Sequence, residues 1–123
     1  MKLTTALRNT RATDIITEAG TNPKVKYYNG TESLTPAGTL LATLNITGAL
    51  GTATSGVIDF NETCTQTNSS HVGGTPTFAL ITTSADGAVA TIPIPAEMTF
   101  TGTIATGVDV TLTAGCTIIE GNA

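Results

Sequence analysis

The sequence predicts a small, mostly-β domain: a β-sandwich or a jelly-roll-like fold of about seven to eight short strands, preceded by one N-terminal helix. Three observations lead to this prediction. The length of 123 residues suits a single domain. The chain contains 28 Thr, and β-branched residues favour strands over helices. After a helical pattern that ends near residue 20, apolar residues alternate with polar ones between regularly spaced turn residues.

Residues 3–19 are predicted to form the helix, because their apolar side chains recur at helical spacing. Those side chains are Leu3, Leu7, Ala12, Ile15, Ile16 and Ala19. We expect Thr4 or Thr5 to cap the start and Gly20 to supply a left-handed residue at the end. A helix this short is not stable alone, so it must pack on its own sheet or on another chain.

The remaining segments are predicted to alternate between strands and turns. The predicted strands span residues 24–28, 40–47, 56–60, 75–83, 88–94, 99–104, 108–113 and 116–119. The dipeptide Asp86-Gly87 predicts a hairpin between the fourth and fifth of these. Pro93 and Pro95 lack an N–H, so the fifth strand ends there or lies at a sheet edge. Residues 48–56 are predicted to be flexible, and residues 61–74 to form a long polar surface loop.

Composition excludes several classes of protein. Charged residues make up 11% of the chain, too few for an acidic disordered segment or a coiled coil. Two Cys are too few for a disulfide scaffold, and no apolar run approaches the ~20 residues of a membrane-spanning helix. The first five residues are too polar for a secretory signal. Aromatic residues make up 4% of the chain and Trp is absent, so the core is expected to be aliphatic.

The charges are distributed unevenly. Residues 1–26 carry all five basic side chains and two acidic ones, whereas residues 27–123 carry seven acidic side chains and no basic one. Residues 27–123 are therefore unsuited to binding nucleic acid, which requires a basic surface. The basic segment indicates either docking on an acidic partner or neighbouring subunit, or simply a solvated helix. We therefore separate residues 1–23, a helix and docking segment, from residues 24–123, the β-sandwich, within a single domain overall.

No catalytic or cofactor site is predicted. His71, the single His of the chain, is expected to be an exposed loop residue without a general-base role. Asp59 and Glu62 are the nearest pair of acids and fit a solvated strand end better than an active site. Metal ligands do not cluster, and no cofactor motif occurs. Cys64 and Cys116 either form one disulfide or remain buried thiols, and spacing alone does not decide between them.

One resemblance extends over most of the chain. It is carried by an N-terminal helix with Arg8, Arg11 and Asp14, and by three later runs of residues. These runs are Lys24-Val25-Lys26-Tyr27-Tyr28-Asn29-Gly30-Thr31, Gly38-Thr39-Leu40-Leu41-Ala42-Thr43-Leu44 and Ala114-Gly115-Cys116-Thr117-Ile118-Ile119. In these features the chain resembles a group of small tailed-bacteriophage virion proteins with a YTGT…P…G.LLATL signature. It departs from that pattern at residues 61–74 and 35–38.

The resemblance implies a non-enzymatic structural protein of the virion, made in the host bacterial cytoplasm. The expected role is capsid decoration, in which a cement protein binds the outside of the head and bridges shell subunits. Its partners would be the major capsid protein of an HK97-type shell and copies of itself, as a trimer or dimer, with no nucleic acid and no membrane. Alternatives are a tail, neck or head-fibre component, or a surface module that binds host glycans through residues 61–74. The residues suited to docking are Leu3, Leu7, Arg8, Arg11, Ile15, Lys24 and Lys26.

Overall fold

A computed structural model describes residues 2–100, 102–110 and 117–119. Within them the chain is mostly strands and begins with one helix, which confirms the prediction of a small, mostly-β domain with an N-terminal helix. The helix is α1 (Thr5–Ala19). The strands are β1 (Lys24–Tyr28), β2 (Leu40–Ile46), β3 (Gly51–Thr54), β4 (Val57–Phe60), β5 (Cys64–Thr65), β6 (Phe78–Thr82), β7 (Ala88–Pro93) and β8 (Thr117–Ile119). A single 3-10 turn, Asn68–Ser70, follows β5 in this part of the chain.

The strands form two antiparallel sheets. The five-stranded sheet has the order β5-β2-β1-β6-β7, and the three-stranded sheet has the order β3-β4-β8. Side chains of the central strand β1 alternate between the two faces of the larger sheet. Val25 and Tyr27 are fully buried, while Lys24 and Lys26 lie on the opposite face. The predicted hairpin at Asp86-Gly87 is confirmed, with β6 and β7 paired across it. β7 lies at the edge of the sheet and ends at Pro93.

The helix is part of the same core as the sheets. α1 lies against β3 and β4 and also reaches β7 of the larger sheet. Ala12 and Ala19 are completely buried and belong to one hydrophobic cluster with residues of both sheets. The helix approaches the β3–β4 turn so closely that a Cβ on Gly56 would lie 2.7 Å from the Cβ of Arg8. Glycine at this position therefore permits the packing of helix on hairpin.

The two ends of the helix follow from its sequence. Thr4 is the N-cap, and its side-chain oxygen accepts a hydrogen bond from the Leu7 N–H at 3.2 Å. Gly20 ends the helix with φ of +72°. The buried stripe runs through Ala12 and Ala19, whereas Leu7 is 46% exposed. Leu7 lies about 140° around the helix from Ala12, so it is directed away from the sheets.

Several strand predictions need correction. The segment predicted to be flexible contains β3, which pairs with β4 across Ser55-Gly56, a turn in which both residues have positive φ. The strand predicted at 99–104 is wrong: residues 99, 100 and 102–104, the described part of this segment, form no strand, and Ile104 makes an isolated bridge with Gly74. An apolar residue of this segment reaches the core without strand pairing. Phe100 contacts Tyr27, with 5.1 Å between the ring centroids. Residues 108–110 do not form the first part of the strand predicted at 108–113, and residues 111–113 lie outside the described residues.

Candidate functional site

Lys24 and Lys26 do not form a free basic patch. Both ammonium groups lie 2.8 Å from the same oxygen of Asp86, which the β6–β7 hairpin turn brings over the outer face of β1. The hydrogen bonds from Lys24 and then Lys26, with the charge of Lys26, lower the pKa of Asp86 to about 2. The two lysines are thus engaged within the chain by an acid that lies 60 residues or more away in sequence.

The docking residues predicted on the helix fall into two groups. Leu7 and Arg11 are exposed one turn apart, on the side of α1 that does not meet the sheets. Ile15 packs against the hydrophobic core, and Arg8 is half-buried, with its Nη2 3.3 Å from the hydroxyl of Thr5. Leu3 is also half-buried. The structure therefore places Leu7 and Arg11 together on the surface and directs Ile15 inward.

A second region, at the edge of β2, was not identified from the sequence. β1 covers one side of β2 along its length, but the other side is covered only in part. β5 pairs with Asn45 and Ile46, and farther along the N–H of Val72 donates to the carbonyl of Leu41 at 2.9 Å. Between these points the chain leaves the sheet through the 3-10 turn Asn68–Ser70. This turn leaves a gap along the β2 edge.

Thr43 lies at that gap. The Ile46 N–H donates to the carbonyl of Pro23, which makes these two residues a hydrogen-bonded pair at the start of the β1–β2 ladder. Because such pairs alternate along antiparallel strands, Thr43 directs its main-chain N–H and C=O away from β1. Thr67, which would continue β5, makes no main-chain hydrogen bond to Thr43. Among the described residues, the edge of β2 is therefore unpaired at Thr43.

A cavity of about 230 Å³ occupies this edge. It is lined by β2 from Leu40 to Thr43 and by Asn45, Thr67, Ser70 and His71. The lining offers hydroxyl, amide, imidazole and aliphatic groups, and it includes no charged side chain. The cavity is therefore suited to an uncharged group that forms hydrogen bonds.

His71 is buried, with 3% of its surface exposed, so the prediction of an exposed loop histidine is wrong. Its Nδ1 lies 3.0 Å from the carbonyl oxygen of Val108, which can only accept, so Nδ1 donates when the ring is neutral. The other ring nitrogen, Nε2, is buried and has no hydrogen-bond partner among the described residues. Thr106 in turn donates its hydroxyl hydrogen to the main-chain carbonyl of His71 at 2.6 Å.

Side-chain amides explain why the polar segment folds inward. Gln66 forms two hydrogen bonds with the main chain of Val110, at 2.6 and 2.9 Å, and Asn68 donates to Asp109 at 2.8 Å. These contacts hold residues 66–71 against residues 106–110 without a strand pair. Polarity suggested a solvated loop, because the sequence does not show which distant main-chain groups an amide will meet.

Exposed aliphatic side chains occur around the same edge. Leu40 lines the cavity and is 37% exposed. Val72, adjacent to His71, is 46% exposed, and Val108, whose carbonyl accepts from His71, is 57% exposed. Leu7 and Leu34 are the other exposed large apolar residues in the described part of the chain. Exposed apolar groups beside an unpaired strand edge are typical of surfaces that bind another polypeptide.

Cys64 is a half-buried free thiol in β5. Burial raises the pKa of this thiol, and the negative charge of Asp109 raises it further. Its predicted alternative partner, Cys116, lies outside the described residues. Cys64 therefore has the character of a packed thiol that resists ionisation, since an activated cysteine has a lowered pKa.

Two further properties bear on the site. No helix in the described ranges is long and apolar enough to cross a bilayer. Within those ranges, the His, Cys, Asp and Glu residues form no group of three or more that is able to bind a metal ion.

No protein-family model matches this chain, and neither a curated protein nor a solved structure matches it.

Proposed function

We propose that this chain is a non-enzymatic structural protein of a tailed-bacteriophage virion, and specifically a capsid decoration protein. The phage assignment rests on the resemblance of its sequence to small virion proteins. The observation that favours an assembly role is the edge of β2, which is unpaired at Thr43 among the described residues and has exposed aliphatic side chains around it. A decoration protein stabilises a shell by bridging neighbouring subunits, and many copies placed by symmetry give a large total effect.

On the proposed head surface, the exposed side of α1 is the part of the predicted docking segment that does not meet the sheets. Leu7 and Arg11 provide one apolar and one basic side chain there. Lys24 and Lys26 contribute little, because both are already bound to Asp86. This division of roles follows from the tertiary contacts and makes the helix residues the first targets for substitution.

The test is a rebinding assay with purified mature shells that lack decoration protein. The shells are mixed with the protein and pelleted, and bound copies per shell are counted. Saturation on the order of hundreds of copies per shell, with increased resistance of the shells to heat, is the expected result. We expect Leu7→Glu to weaken binding, whereas Leu34→Glu, which changes an exposed leucine outside α1, serves as the matched control. Absence of binding to shells would contradict the decoration role, and saturation at only a few copies would favour a tail, neck or head-fibre component.

Recognition of host glycans is the second candidate. It is favoured by the hydroxyl and amide groups of Asn45, Thr67 and Ser70 around one cavity, two of which lie in the segment 61–74. The chain contains no Trp, which counts against this candidate because aromatic platforms are common at carbohydrate sites. A glycan array with the purified protein tests this candidate. Binding that is lost in Ser70→Phe, which fills the cavity, and kept in Leu7→Glu would support it.

A further inference from the structure

We propose that the open edge of β2 at Thr43 is a docking site for a short, extended, uncharged polypeptide segment of a partner protein. The segment would add main-chain hydrogen bonds to Thr43 and place aliphatic side chains against Leu40 and Val72. The proposed site and its mode of peptide binding do not depend on the identity of the particle in which the protein acts.

Thr43 is able to pair with another extended chain. The N–H and C=O that it directs away from β1 are complemented by the C=O and N–H of one residue of such a chain. β2 already uses this mode on both sides of the gap, with β5 at Asn45 and with the Val72 N–H at Leu41. An added segment would therefore complete an interrupted ladder.

The gap limits both the length and the charge of the segment that it can hold. The gap extends from Asn45 to Leu41, about 13 Å of strand at 3.3 Å per residue, so only a few residues of a partner can lie in it. This length excludes the edge of a complete sheet from a second copy. The lining has no charged side chain to neutralise an ion, so the inserted residues must be uncharged.

In the described part of the chain, the surroundings of the gap include a buried polar atom without a partner and several exposed apolar side chains. The Nε2 atom of His71 is buried and meets no donor in the part of the chain that the structure describes, which is costly for a polar group inside a protein. Leu40, Val72 and Val108 are three of the five exposed large apolar residues in the described part of the chain, and all three adjoin this region. Peptides bound at a strand edge gain affinity from main-chain bonds and specificity from such side-chain contacts.

The test uses a library of random dodecapeptides displayed on a carrier and selected on the intact protein. Binding of enriched peptides is then measured by calorimetry, and their site is mapped by amide chemical shifts of the isotope-labelled protein. We expect enriched sequences to be uncharged and aliphatic at their centre, with the largest shifts at residues 40–45 and 67–72. Methylation of the central peptide nitrogen should weaken binding at least about tenfold, because it removes a main-chain donor without adding charge.

Two variants test the edge directly. Thr43→Pro removes the N–H that faces the gap while leaving the β1–β2 bonds in place, and it should weaken binding at least about tenfold. Thr43→Val retains that N–H and is the matched control. Should Thr43→Pro fail to fold, Leu40→Glu provides the same test at the rim, with Leu34→Glu as its control.

Several outcomes would overturn the proposal. These are the absence of any enriched peptide, shifts that map away from β2, and equal binding by the N-methylated peptide. Binding of an oligosaccharide to residues 67–71 without any peptide binding would instead assign the cavity to glycans. Because none of these measurements uses shells, a negative rebinding assay leaves this test intact, and peptide binding leaves the decoration role to be decided separately.

Discussion

Asp86 links the hairpin turn to the central strand and makes the larger sheet sensitive to acid. Its side chain is 53% exposed, while the side chains of Lys24 and Lys26 are 23% and 15% exposed. The carboxylate therefore remains accessible to salt, which screens its attraction to the lysines. The pKa of Asp86 is about 2, below its ordinary value of 3.8, so folding favours the ionised form.

We predict that Asp86→Asn lowers the urea midpoint at pH 7 and that this difference disappears in acid. A lowered folded-state pKa stabilises the fold above the unfolded-state value, and this contribution is lost as pH falls through about 4 toward 2. The measurement is urea unfolding of both proteins across that range. Asp59→Asn is the control, because Asp59 is an exposed carboxylate with no ion pair in the described ranges. A difference that stays constant down to pH 2 would contradict the assignment.

At the scale of the element, α1 combines a solvated face with a narrow buried stripe of small residues. The hydroxyl groups of Thr10, Thr13 and Thr17 each donate a hydrogen bond to the main-chain carbonyl one turn earlier, at 2.9–3.1 Å. These threonines therefore require no partner outside the helix. Ala12 and Ala19, by contrast, let the helix approach the sheets closely.

Substitution at Ala12 measures how tightly the helix is packed. Ala12→Leu should destabilise the protein by about 1–3 kcal/mol, because added methylenes enter a filled core. The same change at Ala6, which is exposed on the same helix, should have an effect within about 0.5 kcal/mol. Chemical denaturation gives both values. Equal effects at the two positions would mean that α1 does not pack as described.

The N-cap provides an independent prediction for the helix. Thr4→Ala removes the acceptor of the Leu7 N–H and should cost about 1 kcal/mol of unfolding free energy. Thr10→Ala removes a hydroxyl that is bonded only to a carbonyl of its own helix, so it should have a smaller effect. Thermal unfolding followed by circular dichroism compares the two. A larger loss in Thr10→Ala would argue against the capping role.

At the scale of the whole molecule, one core joins the helix and both sheets. Ala12 of the helix, Val25 of the larger sheet and Ile58 of the smaller sheet are each 0% exposed in the same cluster. Cores shared in this way unfold as one unit in small domains. The division into a docking segment, 1–23, and a β-domain, 24–123, therefore describes proposed roles within one packed structure.

We predict a single unfolding transition for the intact chain. Far-UV circular dichroism reports the helix and strands, and the fluorescence of Tyr27 and Tyr28 reports the central strand. The two signals should give the same urea midpoint, because the helix and the strand share a core. A helix signal lost at clearly lower urea would show that residues 1–23 unfold separately, as a detachable docking segment would.

Predictions from sequence succeeded where the structure depends on neighbouring residues and failed where it depends on contacts between distant ones. The helix, the hairpin at Asp86-Gly87 and the edge position of the strand that ends at Pro93 depend on neighbouring residues, and the structure confirms them. The strand predicted at 99–104 was wrong, because alternating apolar residues also suit a loop whose side chains reach the core. β3 was missed, since its small residues resemble those of a flexible segment.

Sequence alone thus determined the fold class, the position of the helix and the hairpin, because periodicity, capping and turn chemistry are local properties. Tertiary structure decided that Lys24 and Lys26 are paired, since Asp86 meets them only after β1 and β6 pair. It also decided that His71 is buried and that no described residue pairs with β2 at Thr43 on its open side. These features depend on contacts between residues distant in the chain, and the local pattern of residues does not specify such contacts.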